Sequence, residues 1–235
     1  MRLFIASLAL GCSAVSIAGP TGLNVIPTTD IVPVNSWVAV LQNGNTNFTG
    51  TNLLRQPEFY GQTQFGLEPW LEAGLDYSPT PDRLSDTEVF NVKAQFLIEN
   101  DNQPNMAIGF WNVAHAQKPG YYLTVSKTLN YEQQQEERFR AHHRRNRKLL
   151  GRRVHVGLSL DGHKIGQPFC GTDLQLSETA VFQADWINGT GNSLTAGVAY
   201  VLPDTRTVLT PALVFSNDTH RFSGLLLNLS HQFNL

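Results

Sequence analysis

From residue 36 to the C-terminus the chain is written in period two. Leu71, Ala73, Leu75 and Tyr77 alternate with Glu72, Gly74 and Asp76. Phe90, Val92, Ala94, Phe96 and Ile98 alternate with Asn91, Lys93, Gln95 and Glu99, and Val154, Val156, Leu158 and Leu160 with His155, Gly157, Ser159 and Asp161. Side chains that change face at every residue belong to strands with one apolar and one polar side, and a helical period would not survive such windows. The same alternation, with more exceptions, runs through 36–48, 59–67, 106–114, 121–129, 179–187, 194–202, 207–215 and 222–235. Turn chemistry separates them at Glu68-Pro69, Asn100-Asp101-Asn102, Asn188 to Asn192, Pro203-Asp204 and Asn217-Asp218. The pattern predicts about eleven strands of roughly 9 to 13 residues, longer than the usual 5 to 6 of a globular sheet and close to what crosses a bilayer at a tilt.

Two all-β architectures compete for this pattern. A soluble sandwich turns its apolar faces into a shared core, whereas an outer-membrane barrel turns them to lipid and its polar faces to the lumen. Three cues favour the barrel. Small residues recur on the polar face (Gly74, Gly109, Gly157, Gly197, Gly224), as a narrow lumen requires. Aromatic residues gather near strand ends (Trp37, Phe59, Tyr60, Trp70, Tyr77, Tyr121, Tyr122, Phe222, Phe233), where interfacial girdles lie. The last strand sets Leu225, Leu227, Leu229, His231, Phe233 and Leu235 against Gly224, Asn228, Ser230, Gln232 and Asn234. That strand resembles the terminal strand by which assembly machinery recognises bacterial barrels, with its aromatic two residues early and His231 interrupting the row.

Barrels of this kind close with even strand numbers. The expectation is therefore an antiparallel up-and-down transmembrane β-barrel of about 12 strands, with 10 as the alternative. The missing or surplus strand is sought in 23–34, in 172–177 standing alone, or in a break of 207–215 at Pro211. The short turns 68–70, 100–104 and 188–192 are expected at the periplasmic end, which would put the 132–153 insertion there too, although an eleven-strand count leaves its side open.

Charge divides the chain. Only 15% of residues are charged, against about 25% in an average soluble domain. Eight of the 17 Lys and Arg lie between Arg138 and Arg153, so residues 132–153 carry net +5 and the rest net −7. Met1-Arg2, the apolar stretch Leu3 to Ile17 and Ser16-Ile17-Ala18 read as a secretory signal. Residues 1–18 are then removed and 19–235 form one outer-membrane barrel domain; a lipoprotein site at Cys12 is the minor alternative. With Cys12 gone, Cys170 is the one remaining thiol and no internal disulfide forms.

The residues after the leader carry a resemblance. Gly19-Pro20-Thr21-Gly22-Leu23-Asn24-Val25-Ile26-Pro27-Thr28-Thr29-Asp30, with Val32-Pro33, resembles the opening of the YjbH-like family of outer-membrane barrels. Phe65 to Leu75 is similar to a hairpin of that family, and Val92 to Phe96, Met106 to Phe110 and Tyr122 to Lys127 are weaker echoes. The likeness covers roughly residues 19 to 130; Thr29 stands where the family has Ala, and the basic insertion has no counterpart. It implies a barrel, a role in exopolysaccharide production and no catalytic residues.

Candidate chemistry is sparse. Arg138, Arg140, Arg144, Arg145, Arg147, Lys148, Arg152 and Arg153 form a candidate anion-binding group for headgroup phosphates or an anionic polysaccharide. The plainer reading is a solvated segment, helical from Glu132 to Leu150 and capped at Gly151. None of the seven His falls in a zinc spacing, so no metal and no cofactor are expected. Ser159 and His155 share a lumenal face, but four residues along a strand separate them by about 13 Å, too far for proton transfer. Glu72, Asp76, Lys93, Glu99, Asp161 and Asp185 are expected to form a hydrogen-bonded plug rather than an active site. The partners expected are outer-membrane lipid, the barrel assembly machinery, and an anionic polysaccharide or envelope proteins, but not nucleic acid. The sequence thus reads as a non-enzymatic outer-membrane barrel assisting polysaccharide production or export. The alternatives are a soluble carbohydrate-binding β-sandwich and a lipid-modifying barrel enzyme.

Overall fold

A computed structural model describes residues 22–45, 58–77, 88–111, 120–129, 151–161, 164–189 and 192–235. The leader and residues 130–150, including Arg138 to Lys148 and the expected helix, lie outside the described residues.

Twelve strands follow one another around a single closed ring, each hydrogen-bonded antiparallel to its neighbours in sequence. They are β1 (Ser36–Asn45), β2 (Glu58–Glu68), β3 (Leu71–Tyr77), β4 (Glu88–Leu97), β5 (Asn105–Trp111) and β6 (Gly120–Leu129). The ring continues through β7 (Arg152–Asp161), β8 (Lys164–Gln175), β9 (Ala180–Ile187), β10 (Ser193–Val201), β11 (Thr207–Ser216) and β12 (Phe222–Asn234). β1 closes the ring on β12 with Ser36 opposite Asn234 and Trp37 opposite Phe233. A closed sheet has no edge to aggregate and no second sheet to pack on, so the sandwich reading is removed.

The alternation takes the expected sense. Leu158, Leu160, Leu194, Leu213, Leu225, Leu227 and Leu229 point outward and are each more than 40% exposed, while Thr124, Ser126, His155, Gln183 and Thr195 on the inward rows are fully buried. His231 does not leave a polar hole in the outer row of β12. Its Nδ1 lies 2.7 Å from the Thr207 hydroxyl on β11 and its ring packs against Phe233.

The strand missing from the alternation is β8. Residues 172–177 do not stand alone: Thr172 to Gln175 form its last third, and Pro168 lies inside it. Pro211 does not break β11. It faces outward, and the β10–β11 ladder passes from Gly197↔Ala212 to Tyr200↔Leu209, leaving out the position of Pro211 and the one after it toward Leu209. This is how a sheet accommodates a residue with no N–H to give. The twelfth strand also reassigns one turn. The termini share an end with the connections after β2, β4, β6, β8 and β10, whereas 188–192 joins β9 to β10 at the opposite end. β6 ends, at Leu129, and β7 begins, at Arg152, at the end that holds the termini.

Inward glycines have a more specific role than widening a narrow lumen. Gly109 stands opposite Tyr122, Gly120 opposite Trp111 and Gly157 opposite Phe169, and in each pair the aromatic ring occupies the space a Cβ would fill. The glycine is a seat, and the ring covers backbone that would otherwise be bare.

Candidate functional site

Residues 23–34 are not a strand but an irregular segment lying inside the ring. Leu23, Ile26, Thr28, Thr29 and Val32 are 1% exposed or less. The segment turns back on itself through Leu23 N–H to Ile26 O and the Gly22↔Pro27 bridge. It leaves through a turn closed by Ser36 N–H to Pro33 O, with Asn35 at φ 58°, a conformation asparagine tolerates better than most side chains.

Buried irregular backbone must find partners for its amides and carbonyls, and here the barrel wall supplies them. Val32 N–H donates to Glu72 Oε2 (2.8 Å) and Val25 N–H to Asp185 Oδ2 (2.9 Å). Lys93 Nζ donates to Thr28 O (3.2 Å) and the Thr124 hydroxyl to Pro27 O (3.2 Å). The side chains come from β3, β9, β4 and β6, so the segment is fastened on several sides of the ring. Glu72 and Lys93 also form an ion pair (3.2 Å) with both side chains almost fully buried, and Asp185 takes a further hydrogen bond from Thr195. On β7, Arg153 embraces Asp30 with both terminal guanidinium nitrogens, Nη1 and Nη2, and Asp30 in turn accepts from the Thr28 hydroxyl. Burial by itself would raise the Asp30 carboxyl, but the charge and the hydrogen bonds of Arg153, with the charge of Lys93, carry it below its ordinary value.

Two glycines make the space. A Cβ on Gly66 would run into the carbonyl oxygens of Val32 and Pro33, and one on Gly171 into the ends of Leu23 and Ile26. Leu23, Ile26 and Phe169 form a small apolar cluster there, with Tyr122 and Ile187 packed on it.

Of the charges read as lumenal, the side chain of Asp161 lies outside the described residues and the others are distributed through this arrangement. Glu72, Lys93 and Asp185 grip the segment directly, whereas Glu99 accepts from Thr128 N–H (2.8 Å) and pairs with Lys127 (3.5 Å) near the terminal end. Arg153, grouped by sequence with the insertion, is turned into the lumen, and Arg152 is exposed with Nε 3.4 Å from the Thr172 hydroxyl.

The sequence spacing sets His155 and Ser159 too far apart for proton transfer, and the fold pairs His155 instead with Ser126. Ser159 donates to Gln167 O, and His155 has Nδ1 2.7 Å from Ser126 Oγ and Nε2 3.0 Å from Asp173 Oδ2. Ser126 was missed because it stands on β6, directly across from His155 on β7. These three groups have the connectivity of a nucleophile, base and orienting acid, yet Ser126 and His155 are wholly buried and Asp173 is 6% exposed. None of them lines the cavity described next, and Arg153 lies 3.9 Å from the Asp173 carboxylate. Their arrangement completes the hydrogen-bonding of a packed lumen. Among the described residues no group of His, Cys, Asp and Glu has the arrangement of a metal site.

Beside the lumenal segment remains a cavity of about 450 Å³, between residues 22–27 and the wall from β1 to β6. Amide side chains of Gln42, Gln62, Gln64 and Asn91 line it together with Asp76, Trp111 and Tyr122.

No protein-family model matches the chain, and no curated protein matches it. Among solved structures, a mutant of the Rhodopseudomonas blastica porin superposes with a TM-score of 0.42 at 11% identity, over 75% of this chain and 55% of the porin. A low-pH structure of Pseudomonas putida OprB gives 0.40 at 7% identity, over 85% of this chain and 62% of that one. The chain spans a little over half the length of the porin.

Proposed function

We propose that the protein is an outer-membrane β-barrel, closed by its own N-terminal segment, that works without catalysis in the production or export of a surface or extracellular polysaccharide. The observation that carries the membrane placement is the outer face. Leucine, valine and aromatic side chains stand exposed on strand after strand around a closed ring, and extended apolar surface of this kind marks contact with a membrane or a partner. Aromatic groups also mark both rims. Trp37 stacks on Phe233 at 4.1 Å and neighbours Phe65 at the terminal end, and Phe110 meets Tyr121, and Phe215 meets Phe222, toward the other. A lumen filled by residues 22–35 and by hydrogen-bonded side chains favours a scaffold or closed channel over a wide pore. The polysaccharide role is supported by the resemblance to YjbH-like barrels. The residues that carry its opening, from Gly22 to Pro33, are the ones packed inside the ring.

Fractionation of expressing cells, with boiled and unboiled membrane samples compared on a denaturing gel, tests the placement. A heat-dependent shift in the outer-membrane fraction is expected, and soluble periplasmic recovery without one would overturn it. For the role, deletion of the gene should lower the yield of surface or released polysaccharide, and unchanged yield would remove that part of the reading.

A further inference from the structure

We infer that the cavity beside the lumenal segment is a binding site for a neutral saccharide unit. This deepens the proposed function, resting on it for the source of the sugar alone, and it stands on three observations.

The first is an aromatic platform. Trp111 and Tyr122 lie 5.5 Å apart and 17° from parallel, and both line the cavity. Each ring is seated on the glycine of the neighbouring strand, Gly120 and Gly109, with no room for a Cβ beneath it. The pair is fixed before any ligand arrives. A flat apolar surface with polar edges suits the C–H face of a sugar ring, where each hydroxyl needs a partner beyond the rim.

The second is the polar surround. Amides and a carboxylate provide donors and acceptors at a density no hydrophobic ligand could satisfy. Asp76, Asn91 and Asn24 line the cavity, and their Oδ1 atoms are buried without a hydrogen-bond partner. Buried acceptors left in that state cost free energy that a hydroxyl donor would recover.

The third is charge. Glu72 and Lys93 neutralise one another across 3.2 Å, which among the described residues leaves Asp76 as the charge facing the space. An anionic sugar would be repelled and a neutral one accepted. The volume, about 450 Å³, lies within the range of small-ligand sites and not of a polymer groove. Asp76 and Trp111 stand at or next to the ends of β3 and β5, so the cavity reaches toward the end of the barrel away from the termini.

The test is calorimetric titration of the purified full-length barrel in detergent with cellobiose, lactose and maltose, and with glucuronate as the anionic arm. Saturable binding of at least one disaccharide is expected, with glucuronate weaker. Trp111→Ala should weaken it by about tenfold or more, Trp111→Phe should retain most of it, and Asp76→Ala should weaken it by a similar factor. Leu227→Ala, on the outer face, should bind as the parent does. Each variant is first checked for heat-dependent mobility, so that a misfolded barrel is not scored. No binding at about 20 mM sugar, or parent-like binding by Trp111→Ala, overturns the site. A preference for glucuronate overturns the neutral assignment. Binding without any change of polysaccharide yield in the deletion strain would sink the cellular role and leave the site; a lowered yield without binding would do the reverse.

Discussion

The guanidinium of Arg153 closes on the carboxylate of Asp30 through two hydrogen bonds of 2.8 and 3.1 Å, across 123 residues of sequence. Nothing else joins the lumenal segment to the wall with two parallel charged bonds among the described contacts. Such a fork is stronger and more directional than either bond alone. Arg153 is 12% exposed and Asp30 30%, so solvent screens the pair only in part.

Arg153→Ala should therefore loosen the segment, because it strands a carboxylate in the lumen. The expected cost is about 3 kcal/mol, the lower part of the range for breaking a buried pair. Urea unfolding in vesicles measures the loss. Planar-bilayer recording should show larger and more frequent current steps than the parent. Asp30→Ala combined with Arg153→Ala should recover part of the stability, and a double variant no better than Arg153→Ala would show that the pair itself contributes little.

Acid should act on the same clamp. The Asp30 carboxyl sits below its ordinary value of 3.8. A carboxylate held low contributes stability that is fully present above its unfolded value and is lost as pH falls through the folded one. Retention of the segment should be level from neutrality down to about pH 4 and decline below it. Protease access to residues 22–35 follows this, and a decline beginning near pH 6 would place the controlling group elsewhere.

Gly66→Val tests the close approach rather than the charge. The added side chain would collide with the Val32 and Pro33 carbonyls where the segment passes β2, at the Val34↔Gly66 bridge. The ring should still close, with heat-dependent mobility intact, while lumenal current rises. An unaltered current would mean that the segment shifts to accommodate the valine.

On the outside, Leu227→Arg places a cation near the middle of β12, on a row that is 44% exposed at that position. In a bilayer this should cost about 2–4 kcal/mol by urea titration in vesicles. A loss near zero would count against lipid at that face.

The outer face was legible because its rule is local: period two survives in Leu225, Leu227 and Leu229 whatever the rest of the molecule does. β8 was hidden by the same rule, since its outward row, Pro168, Cys170 and Thr172 before Leu174, is barely apolar. The inward glycines were legible as small residues, but their use as seats depends on which aromatic stands across the ladder, and pairing is not written in one strand. Arg153 was read with the basic residues beside it in the chain. Its partner is Asp30, and no local pattern could place an arginine from β7 against a segment that precedes β1. The residues of that segment were noticed for their resemblance, without any sign that they would turn inside the ring.

The position of that segment constrains how the molecule can be built. β1 and β12 are the neighbours farthest apart in the chain, with Ser36 facing Asn234, and contacts of such separation are slow to form. Residues 22–35 join β1 directly and grip β3, β4, β6, β7 and β9, and none of these contacts needs the β1–β12 seam to be closed. An open, curling sheet can gather the segment as it grows, whereas a finished ring would have to be threaded. The seam between β1 and β12 is thus a closure around material already inside.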